Sequence, residues 1–235
     1  MSEIFDDPAV ARYLRSESPA SFEAASRLWR TVMAAEHLSV RMKELVLLAV
    51  HASASAVNAQ AIGRHTKRAR AAGASDGDVL DVLVSIVGLS NHSMYFSLPI
   101  LQDELRKAGR GEEAEPPEML PDLEAVRDDF LKTRGFWSEQ RDTIAQFLPA
   151  YSRALSELTM VPWKQGALTP KEREFIYIAI DCSVTHMYGP GLAMHIRHAL
   201  EHGATRDEIL TVFQLAVLIG LEGYILGAEA LQKLG

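Results

Sequence analysis

The strongest constraint on this chain is that it matches itself. Shifted by 130 positions, LSVRMKELVLLAV (38–50) falls on LTPKEREFIYIAI (168–180), and VLDVLVSIV (79–87) falls on ILTVFQLAV (209–217). The same shift carries Pro19-Ala20 to Pro149-Ala150, His65 to His195, and Gly73-Ala74 to Gly203-Ala204, with no gap. Identities are sparse, but apolar positions agree nearly throughout, which is the mark of a tandem duplication. The repeats span roughly 19–107 and 149–235. The expected organisation is a first repeat in 1–107, an exposed acidic, proline-rich linker in 108–124 (AGRGEEAEPPEMLPDLE), and a second repeat in 125–235 whose residues 125–148 supply lead-in helices.

Each repeat reads as helices, so the fold class expected is all-α. FEAASRLWRTVMAA (22–35) places Phe22, Ala25, Leu28, Trp29 and Val32 at helical spacing. Helix 41–54 is apolar on most sides, as a central core helix must be. Ser39 and Thr169 are N-caps, the latter with Pro170 at N1 and Glu172 at N3. A third helix, 58–72, stops at Gly73, and Gly203 does the same in the second copy. Ser75-x-x-Asp78 and Thr205-x-x-Glu208 are capping boxes for a fourth helix with Val79, Val82, Leu83, Ile86 and Val87 on its buried face. Beyond that helix, Pro99, Gly223 and Gly227 are expected to mark kinks or breaks. No strand-like alternation is visible.

Composition narrows the function classes. The net charge of −7 and the lack of a Lys/Arg stripe argue against nucleic-acid or anionic-membrane partners. A single cysteine, Cys182, excludes a disulfide framework or thiolate metal cage and reads as a buried, inert thiol. MSEIFDDPAV shows no signal-peptide pattern. No run of about 20 apolar residues is apparent to span a bilayer. A cytoplasmic setting is therefore expected.

The reactive groups recur with the repeat. Glu44 and His65 stand 21 residues apart, as do Glu174 and His195. Each pair links an apolar helix to the next, which should pack back on it. A carboxylate beside an imidazole orients the ring and raises its basicity, as proton transfer near neutral pH requires. The competing reading is structural: both glutamates sit in a first helical turn, where acids suit the helix dipole.

An acidic residue within R/K-E-[LF], a histidine at the foot of the next helix, then G-A-[ST] and a capped apolar helix resemble the carboxymuconolactone decarboxylase family, which includes the AhpD-like alkylhydroperoxidases. The likeness is best over 38–82 and 168–212. It implies an AhpD-like helical fold with the two repeats packed as an intrachain pseudo-dimer, a homo-oligomer, and a pocket where the helices meet. The peroxidase branch uses Cys-x-x-Cys, but the matching positions here are Asn58, Ala61, Tyr188 and Gly191. Without those thiols peroxide reduction is disfavoured. The decarboxylase branch implies chemistry on a small organic acid or lactone with no metal and no organic cofactor.

On that footing the principal acid/base expected is His195, oriented by Glu174, with Tyr188 or His186 beside the MYGPG turn as second proton donor. His65 and Glu44 form an equivalent site or a relic, with Asn58 and Gln60 suited to orienting a ligand. The other reading of the chain is a catalytically silent ligand-binding or assembly module. His195, His198 and His202 share a helix face, but only His195 recurs, so no metal is expected and the other two read as solvated. Asn91, His92 and Glu222 read as late-helix polar groups, mainly exposed. Asp181, which matches His51, either caps its helix or faces the pocket. The three tryptophans read as core or interface residues.

Overall fold

The computed structural model describes residues 3–234. The elements are α1 (Pro8–Glu17), α2 (Pro19–Ala34), α3 (Val40–Ala52), α4 (Ala59–Ala71), α5 (Asp76–Ser85), α6 (His92–Lys107) and α7 (Gly111–Ala114). They continue with α8 (Pro121–Arg134), α9 (Glu139–Phe147), α10 (Pro149–Gln165), α11 (Pro170–Cys182), α12 (Gly189–Glu201), α13 (Arg206–Val217) and α14 (Glu222–Leu234). Among the described residues there is no strand, and the fold is all-α. From α3 onward, each helix of the first repeat has its counterpart 130 residues later.

Local chemistry sets the helix ends as expected. Ser39 Oγ accepts from Met42 N, and complete capping boxes open α5, α11 and α13. After α4 and α12 the chain turns at Gly73 (φ +95) and Gly203 (φ +80). There Ala74 N donates to Ala69 O at 2.9 Å and Ala204 N to Ala199 O at 2.8 Å, closing the last turn in both copies.

Packing divides the chain into two compact units, residues 1–86 with 168–235, and residues 87–167. In the first unit α3 lies against α11, α13 against α3, and α5 against α11, so the repeats clasp each other reciprocally as a pseudo-dimer. Leu45 to Val50 on α3 are wholly buried, and Phe175 to Ile180 on α11 nearly so. This is the core; each of its Val, Leu, Ile and Phe side chains contributes about 1.5–3 kcal/mol by leaving water. The last helix of the second repeat, α14, packs on α1 of the first. Within the second unit α6, from the first repeat, packs on α9, the lead-in helix of the second. The repeats exchange their final helices, which is why compact units and sequence repeats have different boundaries.

Polar groups stitch the first unit across the repeats. Arg41 pairs with Asp78 and reaches Glu172 at 2.6 Å; Lys171–Glu208 at 2.9 Å is the second-copy echo of the Arg41–Asp78 pair. The R/K of the R/K-E-[LF] motif is structural in both copies. Lys43 Nζ donates to the Met33 and Ala35 carbonyls at the end of α2, and burial lowers its pKa. Arg173 is buried on Asp81 at 2.6 Å and also donates to Leu168 O.

Several expectations are corrected. Pro99, Gly223 and Gly227 lie inside continuing helices; the breaks fall earlier, in 3-10 segments Ile86–Asn91 and Leu218–Leu221. Residues 108–124 are mostly exposed, as a linker should be, but not without structure: α7 folds there with Ala114 buried and its carbonyl taking Gln102 Nε2 at 2.8 Å, and α8 starts at Pro121. Stretches 76–107 and 206–234 are long and apolar enough to cross a membrane by length and composition, contrary to the expectation. Their Val79, Val82, Ile209, Val212 and Leu215 are nonetheless buried, as in core helices.

Candidate functional site

Helix phase decides which side chains meet. On α3 residues 44 and 51, and on α11 residues 174 and 181, are seven apart and share a face. On α4 and α12 the stripes turned toward them run through 58, 61 and 65, and through 188, 191 and 195. Gln60 is off that stripe and exposed, so it does not join the cluster. Antiparallel packing of α3 on α4 and of α11 on α12 then delivers the two expected pairs. Glu44 Oε2 lies 2.7 Å from His65 Nδ1, and Glu174 Oε2 lies 2.6 Å from His195 Nδ1, with all four residues buried.

The first-repeat cluster is ionic. His51 is stacked on His65 with ring centroids 5.2 Å apart. Trp29, a core residue, lies beside the His65 ring at 6.3 Å. Glu222 arrives from α14: its Oε2 accepts from Asn58 Nδ2 at 3.0 Å, while Oε1 accepts from Arg64 and lies 3.6 Å from His51 Nε2. Asn58 also caps α4 through Ala61 N. Burial drives the His51 imidazole down to about 4 against the pull of Glu222. The same burial, aided by Arg64 and Arg68, holds His65 well below its usual value.

The second-repeat cluster has the same frame and different chemistry. His198 is buried with Nδ1 3.8 Å from Glu174 Oε1, whereas His202 is exposed. Expecting both to be solvated was wrong for His198, because its place on α12 is one helical turn beyond His195. The Tyr177 ring covers His195 at 4.6 Å. Asp181 is fully buried, its Oδ1 3.5 Å from His186 Nε2. Tyr188 and His186 are edge-on at 6.4 Å. A Cβ at Gly191 would collide with Asp181 Oδ2 and stand 2.7 Å from Tyr188 Cδ1. The missing side chain is what lets a carboxyl and a phenol ring share that spot.

Burial and then the Glu174 charge push Asp181 up to about 8, so it carries a proton at neutral pH. Burial lowers His186. The Cys182 thiol is pushed up to about 12 and donates to Ala179 O, which makes it a poor nucleophile.

Of the residues expected, Glu44, His65 and Asn58 are brought together, as are Glu174 with His195, and His186 with Tyr188. Sequence reasoning missed Glu222 and Arg64 and left Asp181 open. Asn91 and Glu222 are buried and His92 partly so, correcting the expected exposure. The seven-residue step from Glu44 to His51 and from Glu174 to Asp181 was a readable signal. Nothing local pointed to Glu222.

A duplicated all-α scaffold carrying a buried glutamate–histidine pair in each copy defines a small class of helical proteins. The profile of the carboxymuconolactone decarboxylase family matches residues 19–89 and again 149–231, and the chain belongs to that family. A crystal structure from Burkholderia xenovorans LB400, described as a gamma-carboxymuconolactone decarboxylase subunit on a provisional assignment, superposes with a TM-score of 0.88. That match has 29% identity and covers 97% of this chain and 90% of the other. Among curated proteins none matches at a significant level.

Proposed function

We propose that this chain is a cofactor-free lyase or isomerase that moves protons on a small organic acid or lactone, in the second-repeat cluster. The supporting observation is the buried Glu174–His195 contact with Asp181 seven residues along the same helix. His195 Nδ1–H donating to Glu174 fixes the ring and leaves the Nε2 lone pair as base. Asp181, still protonated near pH 7, is the complementary donor, with His186 and Tyr188 beside it. Loss of CO2 from a β-keto or vinylogous acid sends the C–C electron pair toward a carbonyl oxygen, and the new carbanion or enolate takes a proton. Such a step needs one base and one donor in a site closed to water. The family match and the B. xenovorans likeness support this class of substrate. We further place the protein in the cytoplasm as a homo-oligomer, without nucleic-acid or membrane partners. Peroxide reduction is the weaker reading, because Cys182 has a strongly raised pKa and no second thiol.

The test is NMR in D2O with carboxylated lactones and β-keto acids. Decarboxylation or deuterium uptake should fall by about 10²–10⁴ in His195→Gln and survive in His65→Gln. Equal turnover in His195→Gln and wild type would remove the proposal. Loss confined to His65→Gln would move the chemistry to the first repeat.

A further inference from the structure

We infer that the first-repeat cluster is a binding site for a divalent transition-metal ion of the Zn²⁺ class, held by His51, His65 and Glu222. The inference goes beyond the proton-transfer reading and does not depend on it, since it concerns the other repeat.

The three residues come from α3, α4 and α14, and their ligand-capable atoms lie within 4.8 Å of one another. His51 Nε2 and Glu222 Oε1 are 3.6 Å apart. Two ligands on a tetrahedral ion with bonds of about 2.0–2.1 Å stand roughly 3.4 Å apart, so this edge needs almost no adjustment. His65 is wholly buried and its Nε2 has no hydrogen-bond partner among the described residues. Leaving such a nitrogen dry costs about 1–3 kcal/mol, and a metal ion removes that cost.

The surroundings fit as well. The other nitrogen of His65 is fixed by the Glu44 carboxylate at 2.7 Å. A carboxylate behind a histidine sets its tautomer and strengthens it as a ligand. Glu222 is held through its far oxygen, Oε2, by Asn58, while its Oε1, the oxygen nearest His51, is shared with Arg64 and would exchange part of that ion pair for the metal. Arg64 and Arg68 both repel a dication near His65; Glu222, Glu44 and the Asp6 carboxylate are the acidic groups set against them. Two imidazoles and one carboxylate select Zn²⁺, Co²⁺, Ni²⁺ or Fe²⁺ over Mg²⁺ or Ca²⁺. Three protein ligands leave a fourth position for water or a small anion. Position 51 is Asp181 in the second copy, position 64 is Met194, and Glu222 of the second copy matches His92 of the first, so the ligand set has no equivalent around His195.

The test uses the tag-free full chain, stripped with chelator and titrated with Zn²⁺ by calorimetry. Wild type should take up one ion per chain, and Zn²⁺ should raise its Tm. His51→Ala and Glu222→Gln should each weaken binding at least tenfold, whereas His202→Ala, at an exposed site, should not. Absence of stoichiometric uptake by stripped wild type at micromolar Zn²⁺ would overturn the inference, as would undiminished uptake in the His51→Ala/Glu222→Gln double variant. Should those variants fail to fold, Co²⁺ on wild type decides. Low-symmetry visible bands, with two imidazole signals shifted in the NMR spectrum, support the site. A spectrum of hydrated Co²⁺ sinks it.

Discussion

The two clusters occupy the same address in their repeats and solve the burial of polar groups in opposite ways. The first matches charge with charge: Arg64 and Asn58 hold Glu222, and the histidines stack beside it. The second sets neutral proton carriers beside the Glu174 charge, with Asp181 up near 8 and His186 lowered. At the shared position, burial pushes His51 down to about 4 and Asp181 up to about 8. Both are neutral at pH 7, but one has a lone pair to offer and the other a proton. Duplication kept the scaffold and changed the proton inventory.

Asp181 gives the largest expected contrast. Its folded pKa of about 8 lies far above the ordinary 3.8, so between those values the folded state holds a proton that the unfolded state has lost. Stability from this group is fully present below pH 4 and is lost as pH rises toward 8, by up to about 1.4 kcal/mol per pH unit. Asp181→Asn keeps the shape of the protonated carboxyl without titrating. The Tm of the variant should gain on wild type as pH goes from 5 to 8, and the gap should level off above 8. Glu174, His186 and Tyr188 face the same spot. A constant gap across that range would show that Asp181 is ionised at neutral pH and cannot be the donor.

The next contrast pits Arg173 against its counterpart Lys43. Arg173 and Asp81 are both 2% exposed in their side chains, so Arg173→Met strands a buried carboxylate. Breaking a buried pair from one side costs about 3–5 kcal/mol. Lys43 serves two carbonyls instead, and losing a charged donor from such groups costs about 1–3 kcal/mol. Urea unfolding of Arg173→Met and Lys43→Met measures both. Equal losses would mean that the two motif cations are interchangeable.

Gly191 and Ala61 give a smaller effect. Gly191→Ala drives a Cβ into Asp181 and the Tyr188 ring, an overpacking worth about 1–3 kcal/mol. It should also depress turnover by displacing the donor. Ala61→Gly should cost about 1–2 kcal/mol, the ordinary penalty for glycine in a helix plus the loss of one wholly buried methyl, with no effect on turnover in the second repeat. A wild-type-like Gly191→Ala enzyme would remove Asp181 and Tyr188 from the reacting centre.

These contrasts also show what could be read from the sequence. The glutamate–histidine pairs were legible because the 21-residue spacing joins consecutive, antiparallel helices, and the caps and Gly73/Gly203 turns because they are local. Glu222 was illegible: it reaches Asn58 across 164 residues, through an exchange of terminal helices that no local pattern encodes. Gln60 was misplaced because composition near a site says nothing of helix phase, and phase turns 58, 61 and 65 inward. His198 was misjudged because its counterpart is Arg68, whose long side chain reaches the exposed Asp6. A shorter imidazole on the same stripe stays inside.

The finest contrast lies in the loops that lead into α4 and α12. Val57 (φ 36) and Met187 (φ 48), at matching positions, are the two non-glycine residues with positive φ among those described. Both are exposed, at 64% and 72%, so packing does not explain their retention. The turn itself holds the conformation: Val57 N donates to Ser53 O and Asn58 N to His51 O, with the same bonds at Met187 and Tyr188. The strained residue thus aims Asn58 and Tyr188 at their clusters, the usual place for stored backbone strain. A left-handed L-residue costs about 1–2 kcal/mol, and a β-branched one stands at the upper end. Glycine removes that cost but loses about 0.5–1 kcal/mol to unfolded-state entropy. Val57→Gly should therefore be stabilising by a few tenths to about 1 kcal/mol, and Met187→Gly closer to neutral. Chemical denaturation of both resolves the difference. If Val57→Gly is destabilising while Met187→Gly is not, the valine methyls contribute something in the first repeat that its exposed position does not reveal, such as a contact with a second copy of the chain.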